Sequence, residues 1–319
     1  MKPSTPPVRL GAYIGALVLL FVGAFGLGAV VDPLKSKPKK SHAGSEMPTP
    51  SPTDGHDSGH TDGHGDSHDD HGDAGHDAHS APSGLAISQD GYTFVPVDAT
   101  LPAGKSVPFR FTITGHDGHP VTKFDEVHEK ELHLIVVRRD MSGFQHVHPE
   151  RDASGVWSVE LDLSSGGTYR AFADFSPEGH GSITLGTDIT VGGTFAPVPL
   201  PEVSKTTTVD GYTVALEGAP VAGEDSEMSF TFTKNGKPVD DLETYLGAFG
   251  HLVSLRSGDL AYLHVHPAEE AEAGQHGGPT IGFSVSFPTA GTYRLYLDFQ
   301  TEGKVRTAEF TITVGSAHA

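Results

Sequence analysis

The chain has 319 residues, with 41 Asp plus Glu against 21 Lys plus Arg, 20 His and no Cys. A formal charge of −20 excludes a nucleic-acid binder that works through clustered Lys and Arg. The missing cysteine excludes disulfide frameworks, thiolate zinc sites, iron–sulfur clusters and Cys-ligated blue copper, so any transition metal would have to sit on imidazole and carboxylate.

The first element in chain order is an uncharged apolar run from Leu10 to Val31, long enough for a hydrocarbon core that takes about 20 residues. It exceeds the apolar stretch of a cleaved signal peptide, roughly 7 to 15 residues, and so predicts one uncleaved transmembrane helix inside an anchor segment, residues 1–40. Lys35, Lys37, Lys39 and Lys40 follow the span against Lys2 and Arg9 before it, a count that by the positive-inside rule would retain the C-terminal side. The layout of an N-terminal anchor feeding all-β modules argues the other way, by analogy of fold, for a single-pass cell-membrane protein with an extracytoplasmic body.

Residues 41–84 predict a disordered His/Asp-rich linker. Between Thr53 and Ala81 there is neither a large apolar side chain nor a Lys or Arg, so nothing can be buried to offset chain entropy. His56, His60, His64, His68, His71, His76 and His79 recur among Asp and Gly in a composition too poor in helix formers to make a helical stripe. A solvating spacer has no use for so many imidazoles, and the tract reads as a flexible multi-site chelator of divalent ions.

Beyond residue 84 short period-two runs take over. Val107, Phe109, Phe111 and Ile113 alternate with polar neighbours, as do Met228, Phe230 and Phe232, which predicts β-sandwich strands. The body also repeats itself: Asp90-Gly91-Tyr92-Thr93 recurs from Asp210, and Gly167-Thr168-Tyr169-Arg170 with Asp174-Phe175 recurs from Gly291 with Asp298-Phe299. The expectation is an all-β body of two tandem Ig-like or cupredoxin-like β-sandwich repeats, residues 85–195 and 196–319, with a stiff Pro-rich connector from Ala196 to Pro201.

The densest agreement between the copies is His133-Leu134, Arg138 and His146-Val147-His148-Pro149, matched without a gap by His251-Leu252, Arg256 and His264-Val265-His266-Pro267. A four-residue hairpin loop over Arg139–Ser142 pairs Arg138 with Gly143 and sets His133 opposite His148, so that His133, His146 and His148 share one face. Three imidazoles so placed can ligate Zn²⁺ or Cu²⁺ and leave one position open. The same geometry predicts His251, His264 and His266 as the second site, with Asp174 and Asp298 as further ligands, orienting acceptors or plain solvent-facing strand residues. Histidines paired across a half-buried sheet can also be purely structural. A loop of another length would flip the parity.

An N-terminal anchor, a His/Asp-rich segment and β domains with an HLxV…HxHP hairpin together resemble actinobacterial envelope proteins with YtkA-like or CopC-like copper-associated domains. That resemblance implies metal handling at the envelope, chiefly of copper, with zinc as the alternative. Three functions stand beside one another: a membrane-tethered metal-binding protein for capture, buffering or homeostasis, an Ig-like adhesion or assembly module with structural histidines, and a zinc-dependent hydrolase or hydratase. No paired general base or substrate motif supports the last, so no enzyme is expected. The implied partners are transition-metal ions and a membrane.

Overall fold

The computed structural model describes residues 82–316 apart from 266 and 270, and of His264 the backbone alone. The transmembrane helix over 10–31, the linker histidines His56 to His79, the side chain of His264 and the whole of His266 lie outside the described residues. Among those described, regular structure is entirely β, and no helix is long and apolar enough to cross a membrane.

Repeat 1 carries β1 (Tyr92–Pro96), β2 (Gly104–Thr114), β3 (Leu132–Arg138), β4 (Gln145–Val147), β5 (Val156–Leu163), β6 (Gly167–Pro177) and β7 (Ile183–Val191). Strands β1, β2 and β5 form one antiparallel sheet and β7, β6, β3 and β4 the other. The alternation in β2 does what its pattern dictates: Val107, Phe109, Phe111 and Ile113 are buried between the sheets with Trp157, Leu134 and Val136, while their neighbours point outward.

Repeat 2 repeats the plan with β8 (Thr206–Val209), β9 (Tyr212–Glu217), β10 (Asp225–Lys234), β11 (Gly250–Arg256), β12 (Tyr262–Val265), β13 (Thr280–Ser286), β14 (Gly291–Thr301) and β15 (Lys304–Val314). Its sheets run β8-β9-β10-β13 and β12-β11-β14-β15.

The repeats are not separate beads. Both lie in one compact unit, and the β3/β6 face of the first packs on the β11/β14 face of the second. Every residue of β3 is buried. Leu134 and Val136 enter their own core, whereas Ile135 and Val137 join Met141 and Phe172 against Val253, Leu255, Leu260, Tyr262 and Tyr296 of repeat 2. Phe144 stacks on Tyr296 at 3.9 Å between ring centroids, and Phe172 meets Tyr262 at 5.3 Å. Each such side chain removed from water contributes about 1.5–3 kcal/mol. The half-buried sheet expected for the hairpin is therefore covered on both faces.

The connecting segments are tied to this seam. Asp140 accepts from the Val198 amide at 2.8 Å and Arg138 donates to the Ala196 carbonyl at 3.1 Å, so the Pro-rich connector is fastened rather than a free spacer. At the end of the predicted linker, Ser83 accepts from the Tyr262 amide at 3.0 Å and Gly84 from Arg170 at 2.6 Å, which fixes residues 83 and 84 in place.

Candidate metal centre

Strands β3 and β4 pair in the register Leu134↔Val147, Ile135↔His146, Val136↔Gln145. The turn is closed by the Arg138 amide on the Ser142 carbonyl at 3.0 Å, with Met141 and Gly143 at positive φ. This register brings His133, His146 and His148 together, with one nitrogen of each within 4.8 Å of the others. His133 Nδ1 lies 3.1 Å from His146 Nε2 and 3.2 Å from His148 Nε2. A tetrahedral ion with metal–nitrogen bonds near 2.0–2.1 Å requires ligand nitrogens roughly 3.3 Å apart, so these two separations already match.

The partners of the other ring nitrogens decide the tautomers. His133 Nε2 stands 3.0 Å from the Val127 carbonyl, which can only accept, so the proton is on Nε2 and Nδ1 carries a lone pair. His146 Nδ1 stands 2.8 Å from Asp298 Oδ2 of repeat 2, so its proton faces the carboxylate and Nε2 carries a lone pair. Two neutral rings held this way point lone pairs at each other across 3.1 Å in a place where His133 is 4 % exposed. A metal ion between them relieves that contact, and so does a proton on His146 Nε2, while His148 Nε2 at 3.2 Å can itself donate to the His133 nitrogen. A carboxylate or carbonyl that fixes the tautomer of an imidazole is also the usual support behind a metal-ligating histidine.

Electrostatics favours neutral rings at two neighbouring positions. Burial, then the nearby rings of His146 and His133, lowers the pKa of His148 to about 2. Burial also lowers that of His251 to about 3, against the opposing hydrogen bond to the Tyr245 carbonyl at 2.8 Å. The Tyr245 ring lies 6.3 Å from His148 and 5.8 Å from His251, and burial pushes its hydroxyl up to about 12, so it stays a phenol at neutral pH.

His251 is not in the group of three. It occupies in repeat 2 the register position that His133 holds in repeat 1, opposite Asp298 as His133 is opposite Asp174, and its ring comes 6.4 Å from His146 and 5.3 Å from His128. Asp174 and Asp298 are buried rather than solvent-facing, at 6 % and 4 % exposure. Asp298 accepts from Thr307 at 2.6 Å besides His146, and Asp174 accepts from the Tyr262 hydroxyl at 3.1 Å. Both are acceptors that orient their neighbours. Tyr245, which faces the cluster, was not legible as a site residue, and His128 only as a histidine that the second copy lacks, because each sits on a turn whose closeness to the hairpins follows from tertiary packing.

A tandem β-sandwich protein with an imidazole cluster at the seam between its repeats is the class defined by this fold and site. The chain belongs to the family described as "Domain of unknown function (DUF8832)", whose model matches twice, over residues 87–192 and 207–316. No curated protein matches it. Among solved structures it is similar to a DUF4426 family protein from Pseudomonas aeruginosa, with 12 % identity over 35 % of this chain and 97 % of that one at a TM-score of 0.25. It is also similar to the adhesin FdeC of Escherichia coli, with 12 % identity, 73 % and 66 % covered and a TM-score of 0.23. For InvD of Yersinia pseudotuberculosis the figures are 13 %, 72 % and 59 %, and 0.24. The chain thus spans about two thirds of FdeC and less of InvD.

Proposed function

We propose that the protein binds a transition-metal ion through His133 Nδ1, His146 Nε2 and His148 Nε2, as a membrane-tethered extracytoplasmic protein for metal capture or buffering. The observation that carries this is the convergence of three ring nitrogens, His133 Nδ1 lying 3.1 Å from His146 Nε2 and 3.2 Å from His148 Nε2, with His133 and His146 each oriented by an acceptor on the far side of its ring. Three imidazoles without thiolate or thioether suit Cu²⁺ and Zn²⁺. The linker histidines would gather ions weakly and the seam would hold one.

A second reading is an adhesion or assembly module in which the cluster is structural. It is favoured by the continuous apolar seam and by the buried His146–Asp298 contact, where a proton on His146 would play the part of the ion. The experiment that separates the two is elemental analysis and Zn²⁺ or Cu²⁺ titration of the purified full-length protein, of a variant lacking residues 54–79, and of His146→Ala/His148→Ala. The metal reading expects one tightly held ion that survives the deletion and disappears in the double variant. Identical metal content in all three would sink it and leave the structural reading standing.

A further inference from the structure

Of the three cluster histidines His133 is buried and His146 and His148 are half-buried, so an ion reaches their nitrogens past the groups that cover them. The turn that precedes β3 is built from residues 127–130, closed by the Val127 amide on the Lys130 carbonyl at 2.9 Å and by the reverse bond at 3.2 Å. His128 and Glu129 occupy its two central positions at φ of 50° and 62°, the left-handed geometry that Asn-Gly usually takes. The Val127 carbonyl of this turn accepts from His133, so the turn is fixed to the cluster. Its tip sets the His128 ring 6.2 Å from His133 and 5.3 Å from His251. The same residue lines an open pocket with Leu246, Gly247, Ala271, Glu272 and Gln275 of repeat 2.

Repeat 2 provides the control. Its corresponding turn, closed between Tyr245 and Ala248, has Leu246 and Gly247 at φ of 54° and 76°. Leu246 is 6 % exposed. An apolar residue therefore satisfies this turn, and folding does not call for an imidazole there. What His128 adds is a nitrogen donor between an open, Glu272-bearing pocket and the cluster of nitrogen donors.

We propose that His128 is the access ligand of the site, binding the incoming divalent ion transiently and passing it to His133, His146 and His148. This rests on the metal-binding reading above. A ligand on the path but not in the resting site lowers the barrier in both directions and leaves the equilibrium nearly alone, so it is read in rates rather than in affinity.

The test is stopped-flow uptake of Zn²⁺ and its release to a chromophoric chelator, in the full chain. The phase lost in His146→Ala/His148→Ala belongs to the cluster. In His128→Leu, the residue that repeat 2 uses, that phase should slow about tenfold or more in both directions while the dissociation constant moves less than about threefold. His128→Asn, which tolerates the turn's left-handed backbone, should slow it likewise and guards against a folding defect in the leucine variant. Unchanged rates in both variants would overturn the proposal, and so would loss of the phase, which would make His128 a resident ligand. Absence of any such phase in the unsubstituted protein would instead bring down the metal reading itself.

Discussion

The two hairpins share a register and differ in what they do with it. In each repeat a histidine on the central strand faces an aspartate across the sheet and donates through Nε2 to a turn carbonyl: His133 with Asp174 and Val127, His251 with Asp298 and Tyr245. The residue two before HVHP breaks the symmetry. In repeat 2 it is Tyr262, whose buried hydroxyl donates to Asp174 and is held well above its usual pKa by burial and by that carboxylate. In repeat 1 it is Phe144, which has no hydroxyl and stacks on Tyr296, and Asp298 accepts from His146. One oxygen atom thus gives Asp174 a phenol donor that Asp298 does not receive from the corresponding position of the other repeat.

Acid should act on both hairpins at once and have the largest effect. Below the unfolded histidine pKa of 6.5 the unfolded chain takes up protons that His148 and His251 refuse until about pH 2 and 3. Stability present above pH 6.5 is therefore lost progressively toward those values, with a slope approaching two protons. Urea midpoints of the metal-free protein between pH 7 and 4 would measure it. A flat profile would mean that the rings are already solvated.

Breaking the aromatic seam comes next. Tyr296→Ala removes the partner of Phe144 together with a hydroxyl that donates to the Met141 carbonyl at 2.6 Å, and should cost about 3–5 kcal/mol in chemical denaturation. Independent unfolding of two domains in calorimetry is the expected form of the damage.

On the metal side, an ion that binds only the folded state adds about 2.7 kcal/mol at a hundredfold excess over Kd. His146→Ala/His148→Ala should abolish that rise in Tm on adding Zn²⁺. Asp298→Asn keeps the shape but loses the carboxylate behind His146, and should weaken binding about 10–100-fold by competition titration. The smallest effect is expected from Tyr262→Phe, which makes repeat 2 resemble repeat 1 at the decisive position. It should lose about 1–3 kcal/mol of stability as Asp174 gives up a buried donor, without changing metal content.

Much of this was legible in the chain itself. Alternation in β2 and β10 placed Phe109, Phe111, Phe230 and Phe232 in the cores, and the spacing from Arg138 to Gly143 set the register that gathers three histidines. The seam was not legible from those patterns. Leu134-Ile135-Val136-Val137 is an unbroken apolar run, the mark of a strand buried on both faces, but the run alone does not name what covers the second face. The connector read as a rigid spacer because its prolines are local information, whereas its bonds to Arg138 and Asp140 are long-range. For the same reason Asp298 could be ranked as a possible orienting acceptor, yet its partner was expected in its own repeat.

The His146–Asp298 bond spans 152 positions of chain. A ribosome that has finished repeat 1 has made all three imidazoles of the cluster but neither the carboxylate that sets one of them nor the sheet that covers them. Under the metal-binding reading proposed above, a chain that stops before β14 would carry the three imidazoles without the carboxylate that sets one of them, and should hold an ion more weakly than the finished chain.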